Sequence, residues 1–151
     1  YQFVATDARF HGGEAEFLFH LIETDSRRLH LELTSDYVRA QETGHHRPLP
    51  RIPPRRHGVR LSYEDGRWHA LVEVRRAASQ HHVATLESAT PGYTLLNASV
   101  SYLIPGQRVT YELFLRGRNL SDAEAREHGS FLKERAPLPG RGALAGVRLT
   151  F

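Results

Sequence analysis

Histidine is the residue type in this sequence best suited to chemistry. Ten occur among 151 residues, and two adjacent pairs, His45-His46 and His81-His82, fall in irregular stretches. Neutral imidazole is a ligand for zinc and related divalent ions, so these four are candidate metal ligands. Zinc would be preferred over magnesium, which favours oxygen donors. Solvated surface groups are the alternative reading, because no Asp, Glu or His stands at a fixed metal-motif spacing. Other chemistry has less support. Cysteine is absent, which removes disulfides, thiolate metal sites and a thiol nucleophile. No Gly-x-Ser-x-Gly turn occurs. Gly12-Gly13 lies inside a strand pattern and reads as a bulge, not a phosphate loop. Arg116 and Arg118 either meet an anionic ligand or, as ordinary wall charges, pair with Glu112 and its neighbours. No resident cofactor and no catalytic residue is expected.

The elements that must carry these residues show a period of two. Leu29, Leu31, Leu33 and Tyr37 alternate with His30, Glu32, Thr34 and Asp36. Successive strand side chains point to opposite faces, so this is a strand with one apolar and one polar face. The same pattern places Ala15, Phe17, Phe19 and Leu21 on one face of a first strand, with Leu18 an exception. Further strands carry Val59, Leu61 and Tyr63; Trp68, Ala70, Val72 and Val74; Leu96, Ala98, Val100 and Tyr102; and Val109, Tyr111, Leu113 and Leu115. A seventh carries Ala145, Val147, Leu149 and Phe151, and the chain ends on that aromatic. The stretch from Gly44 to Arg56 holds four prolines, which rule out a helix interior or a central strand.

The connections alternate in length. Short turns are expected near 23–27, 64–67 and 104–107, where Asp65-Gly66 and Pro105-Gly106 suit tight turns. Long loops are expected near 43–56, 79–91 and 119–141. In an up-and-down sheet, alternate connections lie at opposite ends, so all long loops share one rim. Outer-membrane barrels have this asymmetry. Tyr63, Trp68 and Tyr102 fall beside short turns, where interfacial aromatics belong. His11, His45, His46, His57, His81, His82 and His128 fall at the loop end, and His20, His30 and His69 near the short-turn end. The expected fold is therefore all-β, an antiparallel up-and-down meander of about seven strands forming part of a transmembrane barrel. A soluble β-sandwich, serving in binding or adhesion, is the alternative.

Composition narrows the classes. The chain is 25% charged and 40% hydrophobic, which is not a disordered composition. Its net charge is +3, and Asp and Glu are interspersed with Arg, so a nucleic-acid partner is not expected. No apolar run is long enough for a transmembrane helix, which leaves transmembrane strands open. The chain begins at Tyr1 and shows no signal peptide.

The last third adds a family resemblance. Leu113-Phe-Leu-Arg-Gly-Arg-Asn-Leu-Ser-Asp122, with Asn119, Leu120 and Asp122 ending it, resembles the penultimate strand of TonB-dependent outer-membrane receptors. Ser130 to Arg141 resembles their last loop, and the strand ending at Phe151 their C-terminal strand. Ala125-Arg126 departs from the family, which usually has an aromatic shortly after the Asp. The resemblance implies that residues 1–151 are the C-terminal segment of a receptor barrel of about 22 strands, with plug domain and earlier strands absent. It implies residence in the outer membrane of a Gram-negative bacterium and contact with outer-membrane lipid. The implied function is uptake of a metal ion or chelate, such as zinc or an iron siderophore. The energy-transducing TonB complex would act through the missing plug. The loops Arg51-Ile-Pro-Pro-Arg55 and Ala136-Pro-Leu-Pro-Gly140 are similar to those of the zinc and metal branch. The resemblance also implies that Phe151 is part of the signal read by the membrane-assembly machinery. A passive outer-membrane pore is the other membrane alternative.

Overall fold

A computed structural model describes residues 5–151. Among them are seven strands: β1 (Ala8–Glu23), β2 (Arg28–Glu42), β3 (Arg56–Glu64), β4 (Trp68–Ala77), β5 (Tyr93–Pro105), β6 (Thr110–Arg118) and β7 (Gly142–Thr150). They form one sheet in sequence order, every neighbour antiparallel. This is the expected meander. Among the described residues no helix is long and apolar enough to cross a membrane, which says nothing about crossing by strands.

The register carries the alternation across the sheet. Phe19, Leu31, Leu61, Val72, Ala98 and Gly117 follow one another through successive pairings, as do Leu18, Glu32, Arg60, Glu73 and Asn97 one position away. The first row continues the apolar face. Phe17, Val59, Leu61, Trp68, Val72, Leu113, Val147 and Leu149 on that face are all exposed. The second row is largely charged and ion-paired. Arg60 donates to Glu32 at 3.2 Å and to Glu73 at 2.8 Å, and Asn97 adds a 3.0 Å bond to Glu73. Arg56 meets Asp36 at 2.9 Å, and Arg148 meets Glu112 at 2.6 Å. Arg148 thus takes the partner expected for Arg116, which lies over the Phe114 ring instead.

The short turns share one end. Thr24 N–H donates to the Arg27 carbonyl, closing the first. In the second, Gly66 has φ 80°, and the Asp65 carboxylate accepts the Trp68 amide at 2.9 Å. The third spans 106–109, because Pro105 still pairs with Thr110 as the last residue of β5. Trp68 and Tyr102 pack beside these turns with ring centroids 4.7 Å apart.

Two local features differ from expectation. Gly12 and Gly13 are not a bulge; they pair in continuous register with Val38 and Tyr37. A side chain at Gly12 would collide with the Tyr37 carbonyl, so a close backbone approach explains that glycine. The bulge falls at Leu21 instead, where the register shifts between His20 and Ile22. Ile22, not Leu21, then faces Leu29 on the apolar side.

β1 and β2 are also longer than a membrane crossing needs. Among the strands Tyr37 through Glu42 pair only with β1, since β3 begins at the partner of Asp36; on their other side Gln41 bridges Pro48 of the following loop. At about 3.3 Å per residue, this hairpin rises roughly 20 Å above the start of β3 on the loop side.

Candidate functional site

The loop end is where the chain builds an interior. The buried residues Ala40, Ala77, Thr90, Ala125, His128 and Lys133 all lie at or beside the long loops. A one-layer sheet has no core of its own, so compactness must come from the loops packing on one another. The carboxylate of Glu87, in the β4–β5 loop, ties all three together. It accepts the Arg51 amide of the β2–β3 loop at 2.9 Å and the Ala84 amide at 3.0 Å. It also accepts Lys133 Nζ of the β6–β7 loop at 3.0 Å. Lys133 donates a second bond, 2.8 Å, to the Ser88 carbonyl. Their side chains are only 8% and 9% exposed. Burial opposes ionisation of Glu87, but these donors outweigh it and hold its carboxyl below the usual glutamate range.

His128 is part of this lock and not of any open metal site. Its side chain is 1% exposed, and its Nδ1 lies 2.9 Å from Thr90 Oγ1. Nε2 lies 3.2 Å from Glu87 Oε1, off the line a good hydrogen bond needs. Burial, aided by the Lys133 charge, pushes its pKa below the ordinary histidine value and favours the neutral ring. Nothing in the sequence marked Glu87 or Lys133 as partners, because they are 46 positions apart in two loops.

The motif at the end of β6 has a physical account. Asn119 is buried with φ 47°, a left-handed conformation that Asn tolerates. Its Nδ2 donates to the carbonyls of Ala123 at 2.9 Å and Pro139 at 3.1 Å. Its Oδ1 accepts the Ala123 amide at 3.0 Å. Asp122 accepts the Arg141 amide at 3.0 Å. The two residues therefore fasten both ends of the last loop. Leu120 covers Gly117 so closely that an added Cβ would stand 2.7 Å from its side chain. Ala125, where the family usually has an aromatic nearby, is fully buried, and its carbonyl accepts the Leu138 amide at 2.8 Å.

The four loop histidines lie on this rim, exposed. His45 Nδ1 is 3.4 Å from Glu42 Oε1, and His46 has φ 55° with Nδ1 3.5 Å from Gln41 Nε2. His81 and His82 follow Gln80, whose side chain donates to the Ile52 carbonyl at 2.9 Å and joins the two loops. Among the described residues, no three of the loop-end ligands converge on one ion position.

Comparison with known proteins places this arrangement. Residues 1–120 match the family described as TonB dependent receptor-like, beta-barrel. Among solved structures, one titled Copper transporter OprC is 25% identical, with a TM-score of 0.73 over 94% of this chain. The chain spans 24% of that protein's length. With its family model covering most of the sequence and its strands forming the expected meander, the chain belongs to the TonB-dependent receptor-like β-barrel family.

Proposed function

We propose that this chain forms part of the wall and outer mouth of an outer-membrane receptor that takes up a metal ion or metal chelate. Uptake would draw energy from the inner membrane through the TonB complex, acting on a plug held inside the barrel. The observation that carries the reading is the single-layer sheet with an exposed apolar face and an ion-paired opposite face. Lipid covers such a face at no cost in unpaired backbone groups, provided the sheet continues into a closed barrel. A sandwich would need a second sheet over the apolar side, and the described residues form only one.

Family membership and the likeness to a copper transporter support metal as cargo. The imidazole-bearing loops support zinc or another borderline-soft ion. In this reading His45, His46, His81 and His82 make first contact with the metal, and the Glu87 lock holds their loops over the mouth. The test uses cells in which the full-length receptor is the sole high-affinity zinc route. Replacing all four histidines with Ala should reduce uptake several-fold at limiting zinc while leaving outer-membrane receptor levels unchanged. Unchanged uptake would leave them as surface groups. Uptake that persists when the TonB complex is inactivated would indicate a passive pore.

A further inference from the structure

The strand bulge at Leu21 has a chemical outcome at the opposite rim from the capture loops. By simple alternation Glu23 would share the apolar face with Phe17 and Phe19. The extra residue resets the alternation, so Glu23 pairs with Arg28 and joins His20 and His30 on the polar face. His20 and His30 are directly paired across β1 and β2. Their rings meet edge to face with centroids 4.5 Å apart.

Three potential ligand atoms converge there. His20 Nδ1 lies 3.1 Å from His30 Nε2, and each lies close to Glu23 Oε2, at 3.1 Å and 2.6 Å. Among the described residues this is the only group of three such side chains within reach of one ion. We propose that His20, Glu23 and His30 bind one divalent zinc-like ion on the polar wall at the short-turn end. The proposal stands on these three side chains and does not depend on what cargo the barrel carries.

The donor chemistry favours zinc or copper over magnesium. Two imidazoles and one carboxylate are a borderline-soft set. A tetrahedral ion with bonds of about 2.0–2.1 Å holds its ligand atoms roughly 3.3 Å apart. The observed separations therefore need only a slight opening of the trio. Without metal, the three atoms are held together by hydrogen bonds to a single carboxylate oxygen. The other oxygen, Oε1, lies 4.0 Å from Arg28 Nε, which orients the carboxylate from outside the ligand set.

The site is open. His20 and Glu23 side chains are each 54% exposed and His30 25%. Three protein ligands with a fourth position facing water suit an exchangeable ion better than a closed structural one. The fourth ligand would be water or a group from whatever fills the barrel.

The experiment uses the full-length receptor in detergent, with His45, His46, His81 and His82 already changed to Ala so that the capture loops contribute nothing. Zinc titration by calorimetry should retain one site, with magnesium giving no heat. His30→Ala, His20→Ala and Glu23→Gln should each weaken that site roughly tenfold or more. His69→Ala, a nearby histidine outside the trio, should not. Cobalt should give a visible ligand-field spectrum that His30→Ala abolishes. If one variant fails to fold, the remaining two decide. No zinc site in the starting background, or a site indifferent to the trio substitutions, would overturn the proposal.

Discussion

Lys133→Ala should release the loop end. Removing Lys133 leaves the Glu87 carboxylate nearly buried with only the Arg51 and Ala84 amides and an off-line His128 beside it. Breaking one side of a buried ion pair costs about 3–5 kcal/mol, mostly from the charge left behind. The cost falls on loop docking, because the strands on either side keep their ladders. Hydrogen exchange at Arg51 and Ala84 should therefore accelerate by about two to three orders of magnitude, up to the limit of free loop opening. Glu87→Gln combined with Lys133→Met should do much less damage, since it removes both charges at once. Unaltered exchange in Lys133→Ala would remove Glu87 from its tying role.

Acid should loosen the same lock. Glu87 has a lowered pKa in the fold, so its contribution is present above the unfolded glutamate value, about 4.3, and is lost as pH falls through the folded one. His128 is also lowered. The unfolded ring binds a proton below about 6.5 while the buried ring still refuses it, so this contribution begins to fade below that pH. Both shifts act in one direction. Protection of the Glu87-bound amides, measured against the intrinsic exchange rate at each pH, should fall in two stages on acidification, the first carried by His128.

Asn119→Ala should cost about 3–4 kcal/mol. It removes the partner of the Pro139 and Ala123 carbonyls and of the Ala123 amide. Pro139 is exposed and Ala123 half-buried, so water replaces part of these bonds and their loss costs about 2 kcal/mol together. It also places alanine in a left-handed conformation, adding roughly 1–2 kcal/mol. The readout is exchange at Ala123 together with protease cutting within 119–141. Asn119→Asp keeps the acceptor for Ala123 but sets a carboxylate against two carbonyls, so it should open the same loop. If both variants keep the loop as protected as the parent, Asn119 does not fasten it.

The sequence showed the sheet well and the interior poorly, for physical reasons. Strand β2 alternates strictly from Leu29 to Thr34, and β4 and β7 do so apart from Leu71 and Leu144, because one face is apolar and that requirement is written residue by residue. Asp65-Gly66 announced its turn through the left-handed conformation it needs. The bulge at Leu21 was hidden because Leu21 and Ile22 are both apolar, so either could continue the outer row. Glu23 was missed as a consequence. Leu71 and Leu103 lie on the polar face, where period alone does not explain them. The loop lock was illegible, since its partners are joined only by folding. The Asn119 motif was recognised by resemblance, while its hydrogen bonds became clear only in three dimensions.

The claim on which everything else depends is that one face of this sheet meets lipid and the other water. The chain contains no cysteine, so single introduced cysteines report without background from this segment. Fluorescent labels placed one at a time at Ala70, Leu71, Val72, Glu73, Val74 and Arg75 of the full-length receptor in bilayers would read both faces of β4. Labels at 70, 72 and 74 should be quenched by brominated lipid, and those at 71, 73 and 75 by aqueous iodide. Leu71 is the decisive position, because an apolar residue is expected to report water. Six labels reached only from water, or no alternation between neighbours, would contradict the barrel-wall account.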